Sequence, residues 1–250
     1  GTWQTNNLTV SPNGSQKIGG VNADIVLNTE GQSVYFVYID DTQGWLNVID
    51  STSNERAETF IVATGGTITT CGNDKIHTFT GPGTFTVCSA SQVAENNVVS
   101  HLVLAGGGGG GGSHDSPDNR GGGGGGAGGF REVKSPVTPY TASPLDGYPS
   151  APNRITVSAQ AYPITVGAGG NRGRRYDGAG AANGGVSTFS TVTSAGGGGG
   201  GTGLGGPVGG VSGCGSNGGS GGGGAGGGSG TGETGGSGNT PPVTPPQGNN

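Results

Sequence analysis

The sequence predicts an all-β chain in which N-terminal β-modules precede a glycine-rich bundle of polyglycine-II helices, with essentially no α-helix. Three observations lead to this prediction. Unbroken glycine runs occur at 106–112, 121–126, 196–201 and 221–224. Segments rich in Val, Ile, Thr and Phe, which β-strands favour, adjoin several of these runs. No amphipathic helix with a capping residue is recognisable before the first run.

The composition places the chain between two classes. It has 63 glycines and 14 prolines among 250 residues, which is typical of low-complexity disorder. Only 10% of its residues are charged, however, whereas disordered chains are usually solvated by charge. The net charge of −5 gives no support for nucleic-acid binding. No apolar window approaches the roughly 18 residues of a membrane-spanning helix, so we expect no membrane insertion.

Residues 1–57 are predicted to form an N-terminal β-module that serves attachment or assembly. It contains three strand-like segments separated by turn sequences: 23–27, 33–39 and 45–49. The second segment is apolar or aromatic on both faces, which predicts a strand covered on both sides. Three aromatic side chains are candidates for core or assembly contacts: Trp3, Phe36 and Trp45.

Residues 58–105 are predicted to form a second β-module. Turn sequences at 72–74 and 81–83 interrupt a stretch dominated by isoleucine, valine, threonine and phenylalanine. We therefore expect five strands: 60–63, 67–70, 75–80, 84–87 and 98–104. The last of these leads directly into the first glycine run.

Residues 106–240 are predicted to form the glycine bundle rather than a flexible linker. Linkers are Gly/Ser repeats without apolar segments, whereas apolar segments adjoin the glycine runs here. From 203 to 230 every third residue is glycine except Ser212, and three residues per turn is the repeat of a polyproline-II-type helix. Such a helix has no internal hydrogen bonds, so its backbone must bond to neighbouring chains. A disordered tail is the alternative interpretation.

The remaining features concern the ends of the chain and its cysteines. The proline-rich C-terminus 241–250 is predicted to be extended, with 241–246 left-handed. No methionine occurs and no signal peptide is recognisable, so we expect a processed chain or a piece of a longer protein. Cys71 and Cys88 either pair or remain reduced, partly buried thiols, because three cysteines do not form a disulfide framework.

No arrangement of residues predicts catalysis, a metal site or a cofactor. His77, His101 and His114 have no cysteine or carboxylate partner at triad or ligand spacing. Asp40 and Asp41 are adjacent, which does not suit an acid/base pair. The glycine runs contain no Gly-Lys-Ser/Thr sequence and precede no helix, so they are not phosphate-binding loops. We therefore expect a protein that is not an enzyme.

Several segments resemble the glycine-rich modules of bacteriophage tail-fibre proteins. The resemblance covers about 60–201, and a weaker one includes Asp41-Thr42-Gln43-Gly44-Trp45. It is carried by these segments: 61–70, 75–80, 83–87, 102–105, 164–170, 187–190 and 193–195. In the better-known members, adhesins at fibre tips, glycine helices form a sandwich and loops at its end bind the host receptor. The resemblance therefore implies a host-recognition protein on the virion tail fibre. The insert 130–161 and the glycine-rich extension after 201 depart from that pattern.

Polar loops between the glycine runs are the candidate receptor-binding sites. Binding residues are frequent on loops held by a rigid scaffold, but these residues are also typical of solvated turns. Arginine binds carboxylate or phosphate in bidentate fashion, and tyrosine offers a flat face to a sugar or a peptide. The loops are 113–120, 130–161 and 171–177. The candidates are His114, Asp115, Asp118, Asn119, Arg120, Tyr140, Tyr148, Arg172, Arg174, Arg175, Tyr176 and Asp177.

Two functions fit these observations. The first is a non-catalytic adhesin at the distal part of a phage tail fibre, whose partners are a host glycan or outer-membrane protein and an upstream fibre protein or further copies of itself. The second is a structural subunit of an extracellular filament or appendage, assembled through its N-terminal β-modules. Both functions place the protein outside the cell.

Overall fold

The computed structural model describes residues 3–50, 60–113, 121–174, 180–203, 213–226 and 232–250. The chain divides into two compact units, Gly1–Ala57 and Glu58–Asn250. The described residues are almost entirely strand or extended chain, and their only helices are two short 3₁₀ turns. The prediction of an all-β fold with essentially no α-helix is therefore confirmed.

The N-terminal unit consists of two antiparallel strand pairs. Strand β1 (Leu8–Val10) pairs with β2 (Ile25–Leu27), and β3 (Val34–Asp40) pairs with β4 (Gly44–Asp50). The second turn closes on Asp40, whose Oδ1 accepts hydrogen bonds from the amides of Thr42 and Gln43 at 2.8 and 2.7 Å. An aspartate that caps a turn in this way explains why the chain reverses immediately after β3.

The described part of the N-terminal unit buries little apolar surface. Leu27 is its one buried hydrophobic side chain, and Trp3, Phe36 and Trp45 are half-buried. Strand β3 is not covered on both sides as the sequence predicts, since its Tyr35 remains 61% exposed. A β-unit of this size with so small a core gains little free energy from burial.

Among the described residues, nine strands belong to the second unit. They are β5 (Val62–Thr64), β6 (Thr67–Cys71), β7 (Asp74–Thr78), β8 (Gly83–Ser89), β9 (His101–Leu104), β10 (Phe130–Val133), β11 (Ala161–Thr165), β12 (Ser187–Phe189) and β13 (Val192–Ser194). A five-stranded sheet has the order β13-β12-β11-β8-β5, while β9 pairs with β10 and β6 pairs with β7. The predicted second β-module and the glycine-rich region thus share one sheet within one compact unit.

The core of this sheet region is apolar and aromatic. Phe85, Tyr162 and Phe189 pack with ring centroids 5.9–6.4 Å apart, and the two phenylalanine rings meet edge to face. The insert, predicted as a loop, also contributes to this core through Ile155 and Val157, both 3% exposed. This core fixes strands β8 and β11 side by side. In the sequence, β8 adjoins the turn at 81–83 and β11 adjoins the third glycine-rich segment.

His101 lies at the edge of this core and is held uncharged. Its ring packs edge to face against Phe189 with centroids 5.8 Å apart, and its Nε2 has no partner among the described residues. Burial, with a smaller contribution from the nearby Arg131, lowers the pKa of His101 to about 4. The hydrogen bond between its Nδ1 and the carbonyl of Val99 acts in the opposite direction but is the weaker effect.

We expect acid to destabilise the protein through His101. In the unfolded chain histidine titrates near 6.5, whereas in the folded chain His101 titrates near 4. Its contribution is fully present above pH 6.5 and is lost as the pH falls toward 4, by about 3 kcal/mol of unfolding free energy. Urea unfolding between pH 7 and pH 4 measures this loss, and His101→Phe should reduce it. If the unfolding free energy of His101→Phe fell with pH as steeply as that of the wild type, the assignment of the acid destabilisation to His101 would be contradicted. His77→Phe serves as the control.

Eight extended rods make up the glycine-rich part of the described structure. They alternate in direction, and no backbone hydrogen bond joins two residues of the same rod. The rods are numbered in chain order: rod 1 (105–113), rod 2 (121–129), rod 3 (167–174), rod 4 (180–186), rod 5 (195–203), rod 6 (213–219), rod 7 (220–226) and rod 8 (232–238). Their three-residue repeat of hydrogen bonding is that of a polyglycine-II helix.

The rods are held together by backbone hydrogen bonds that recur every third residue. Gly108 donates to the carbonyl of Gly126 at 2.8 Å, and Gly111 donates to that of Gly123 at 2.7 Å, which joins rod 1 to rod 2. The amide that comes next in each three-residue repeat of rod 1 donates to rod 4. The carbonyls of rod 1 accept hydrogen bonds from rods 3 and 5. This pattern arranges the rods in three layers: rods 3, 1 and 2, then rods 4, 5 and 7, then rods 6 and 8.

Rod 5 is the centre of this lattice. It bonds to rods 1, 2, 4, 6 and 7, and every residue from 194 to 203 is buried. A Cβ placed at any residue of its glycine run, 196–201, would come closer than 3.0 Å to a backbone atom of another rod. The run is therefore glycine for reasons of space, since none of these residues has a positive φ.

Outer rods require fewer glycines. In rod 2 a Cβ at Gly121 or Gly124 would meet nothing within 4 Å, and the next position of that repeat is Ala127. In rod 3 a Cβ would clash at 167, 170 and 173, whereas 168, 171 and 172 carry larger residues. The number of neighbouring rods thus determines how many positions in each turn must be glycine.

The C-terminal segment packs against the bundle instead of extending from it. Asn239 Oδ1 accepts hydrogen bonds from the amides of Val243 and Gln247, which bends the chain away from the extended conformation predicted for 241–250. Gln247 is 2% exposed, and its Oε1 accepts from the amide of Ala195 at 2.8 Å. The segment is bent because this buried side chain bonds to the first residue of rod 5.

Candidate functional site

The end of the bundle farthest from the sheet is the candidate functional site, and we call it the distal end. Strands β9, β11 and β13 lead into rods 1, 3 and 5, which run away from the sheet, and rod 7 runs parallel to rod 5. The return rods 2, 4, 6 and 8 begin at the far end. Each pair is joined by a segment outside the described residues: 114–120, 175–179, 204–212 and 227–231. All four connections therefore start and finish at the distal end.

Backbone hydrogen bonds hold the described rod ends together at this site. Gly173 donates to Gly110 at 2.8 Å, and Gly203 donates to Gly112 at 2.8 Å. On the opposite side of rod 2, Gly226 donates to Gly121 at 2.9 Å. The rod ends at this site are therefore joined to one another by backbone hydrogen bonds and are not independent chain ends.

Arg172 and Arg174 are the predicted binding residues that the structure places at the distal end. Both side chains are exposed, while Gly173 between them is buried against rods 1 and 5. A Cβ at Gly173 would lie 2.8 Å from the amide nitrogen of Gly112 and 2.8 Å from Thr202 Oγ1. The close packing of Gly173 fixes the backbone from which the two arginines project.

Tyr140 and Tyr148 do not belong to this site. They lie in the insert that follows β10, beside Glu132 and Asp146, at the sheet end of the bundle. Rod 1 runs from this region to the distal end, and its residues 105–113 span roughly 28 Å at about 3.1 Å per residue. The insert, predicted as one of the exposed binding loops, therefore does not share a surface with the arginines.

Both tyrosines contact neighbouring residues of the insert and have a structural role there. The guanidinium of Arg154 lies 4.3 Å from the ring centroid of Tyr148, a cation–π contact. Asp146 Oδ1 accepts from the amides of Lys134 and Tyr148 at 3.0 and 2.9 Å. Burial, together with the neighbouring Glu132 carboxylate, raises the pKa of Tyr140 to about 12.

The other predicted site residues lie outside the described residues. They are His114, Asp115, Asp118, Asn119, Arg120, Arg175, Tyr176 and Asp177. The described residues that flank them are Ser113 and Gly121 in rods 1 and 2, and Arg174 and Gly180 in rods 3 and 4. Because rod 1 bonds to rods 2, 3 and 4, the two charged connections begin on neighbouring rods.

Three further side chains stand at the distal end that the sequence prediction did not include: Thr202, Cys214 and Glu233. The thiol of Cys214 lies 3.7 Å from Glu233 Oε2, and Thr234 Oγ1 donates to Cys214 Sγ at 3.3 Å. Thr202 is 1% exposed, and its hydroxyl has no partner among the described residues. The sequence signal that could have identified this end is the alternation of glycine runs with connections. Because successive rods run in opposite directions, every second connection joins two rods at the same end.

The charges of the described distal end are divided between two corners of the lattice. Arg172 and Arg174 lie on rod 3 at one side, and the exposed Glu233 lies on rod 8 at the other. Within the described residues, no group of three or more His, Cys, Asp or Glu side chains is arranged to hold a metal ion. None of the three cysteines forms a disulfide, and Cys71 and Cys88 are exposed rather than partly buried.

The fold defines a class of protein, an all-β glycine-rich bundle held by backbone hydrogen bonds. The glycine-rich domain family matches residues 78–250, so the chain belongs to that family. No curated protein and no solved structure gives a significant match. In the described parts of the chain, no helix is long and apolar enough to cross a membrane.

Proposed function

We propose that this chain is a non-catalytic adhesin, a receptor-binding segment at the distal part of a phage tail fibre that acts outside the cell. The observation that supports the proposal is the convergence of all four rod connections on one end of a rigid bundle. Two of these connections are rich in charged and aromatic residues: 114–120 with His-Asp-Ser-Pro-Asp-Asn-Arg and 175–179 with Arg-Tyr-Asp-Gly-Ala.

The receptor would be an anionic surface glycan or a loop of an outer-membrane protein. The arginines of 172–175 supply bidentate donors for carboxylate or phosphate groups. Tyr176 adds an aromatic face on which a sugar or peptide can stack. Apart from Arg172 and Arg174 on rod 3, the rods contribute no side chains to this contact, but their hydrogen-bonded lattice limits the ordering entropy that binding must overcome.

Replacing Arg172, Arg174, Arg175 and Tyr176 together with serine is expected to abolish attachment to bacterial cells. The measurement is binding of the labelled full chain to a panel of strains, with circular dichroism to show that folding is retained. Lys75→Ser, which removes an exposed positive charge from β7, should leave attachment unchanged. Equal attachment of the fourfold variant and the wild type would contradict the role of this end, and so would a wild-type chain that binds no strain.

A structural subunit of an extracellular filament is the second candidate function. It is favoured by the N-terminal unit, which buries only Leu27 among its described apolar residues and leaves Val21 and Tyr35 each 61% exposed. Such a surface suits docking to an upstream fibre protein or to further copies of this chain. Electron microscopy of the purified assembly separates the two functions, since an axial repeat favours the filament and one copy or one trimer at a fibre end favours the adhesin.

A further inference from the structure

A shallow groove of about 260 Å³ lies between one end of the β6–β7 hairpin and the turn that precedes β8. It belongs to the sheet region and lies away from the distal end. Its lining is uncharged and consists of Gly66, Thr67, Thr78, Phe79, Thr80, Gly81, Pro82, Gly83 and Thr84. The adhesin function proposed above does not use this groove.

Phe79 is the aromatic element of the groove, and two glycines hold its ring in place. A Cβ at Gly66 would lie 3.1 Å from Cε2 and Cζ of the ring, and a Cβ at Gly83 would lie 3.1 Å from Cδ1. The ring is packed partly against the core and is half-buried. One part of an aromatic surface is therefore kept rigid and accessible to a ligand.

Four threonines surround this ring and supply its hydrogen-bonding groups. Thr67 and Thr78 are directly opposite in the β6–β7 ladder, so their side chains share one face of the hairpin. Thr80 and Thr84 stand on either side of the Gly81-Pro82-Gly83 turn. All four side chains are exposed, and their hydroxyls make no hydrogen bond to a described residue.

We propose that this groove binds one neutral sugar ring of a surface glycan. The C–H face of a pyranose would pack on the Phe79 ring, and its hydroxyls would pair with threonine hydroxyls, which both donate and accept. Absence of charge in the lining favours a neutral sugar over an acidic one. Pockets for drug-sized ligands occupy about 300–1,000 Å³, so this smaller groove suits a single ring.

Amide NMR of the full chain titrated with neutral methyl hexopyranosides tests the proposal. We expect at least one sugar of the methyl glucoside, galactoside and mannoside set to shift the amides of Gly66, Phe79 and Gly83. Thr67→Val with Thr80→Val keeps side-chain shape and removes two hydroxyls, so affinity should fall about tenfold. Thr69→Val with Thr70→Val, outside the groove, is the matched control.

Several results would overturn the proposal. These are the absence of shifts with every sugar, equal affinity of the groove variant and the wild type, or stronger shifts with glucuronate than with the neutral sugars. Shifts produced only by an extended threonine-rich peptide would assign the groove to peptide binding instead. The fourfold variant of Arg172–Tyr176 should retain the sugar-induced shifts, so failure of this inference is distinguishable from failure of the proposed adhesin function.

Discussion

Gly198→Ala is expected to lower the free energy of unfolding by about 3 kcal/mol, or more, because it places a methyl group inside the central rod. The added Cβ would overlap the carbonyl oxygen of Ser216 and lie 2.8 Å from the amide nitrogen of Gly222. Overpacking of this kind costs about 1–3 kcal/mol. Each backbone hydrogen bond stretched as rods 6 and 7 move apart costs about 0.5–1.5 kcal/mol in addition.

The matched control is Gly124→Ala on rod 2. Nothing lies within 4 Å of a Cβ at Gly124, and its φ is not positive. Alanine there reduces the conformational entropy of the unfolded chain, so stability should be unchanged or raised by up to about 1 kcal/mol. Thermal unfolding measures both variants, with a decrease in Tm of roughly 10 °C expected for Gly198→Ala. Equal effects of the two substitutions would disprove the assignment of rod 5 as the centre of the lattice.

Gln247→Leu is expected to cost about 3 kcal/mol through the loss of two hydrogen bonds, one buried and one part-buried. Gln247 Oε1 accepts from the amide of Ala195 at 2.8 Å, and Nε2 donates to the carbonyl of Pro241 at 2.8 Å. Leucine fills a similar volume but leaves the buried amide of Ala195 without a partner, at about 1–3 kcal/mol, and loses the part-buried bond to Pro241, at about 0.5–1.5 kcal/mol. The substitution therefore separates the C-terminal segment from the start of rod 5.

Denaturant unfolding of the full chain measures this loss, and Gln92→Leu provides the control. Gln92 is exposed, and such surface substitutions usually stay within about 0.5 kcal/mol. Amide exchange adds a local readout, because Ala195 should lose protection in Gln247→Leu and keep it in the control. Unaltered protection of Ala195 would show that the side chain does not hold the two segments together.

Much of the fold could be predicted from local sequence. Strands β3, β6 and β9 fall within or close to the predicted segments, because alternating β-branched and aromatic residues bounded by turn sequences favour strands on local grounds. The unbroken glycine run 106–112 predicted a backbone-packed rod, and rod 1 is such a rod. These features depend on residues near one another in the chain.

The features that were not predicted depend on distant contacts. Strand β8 pairs with β11, about seventy residues later, and no local pattern encodes that pairing. The insert was expected to be an exposed binding loop, yet Ile155 and Val157 lie in the core. Likewise 241–250 was predicted only as an extended segment, and its anchoring through the buried Gln247 depends on a contact with rod 5.

The candidate site was predicted only in part for the same reason. Arg172 and Arg174 were identified because polar residues between glycine runs are typical of loops, and the structure places both at the distal end. Tyr140 and Tyr148 were grouped with them by composition, although rod 1 separates the two regions. Receptor binding by the connections 114–120 and 175–179 stays a prediction.

By itself, the sequence determined that backbones would pack against backbones, since a glycine run without side chains has only its peptide groups to offer. Only the tertiary structure decided which rods are neighbours, and hence where glycine is indispensable, as at Gly198, and where it is not, as at Gly124. The physical reason is that a Cβ is excluded by atoms of other rods, whose positions follow from hydrogen bonds between segments far apart in the chain.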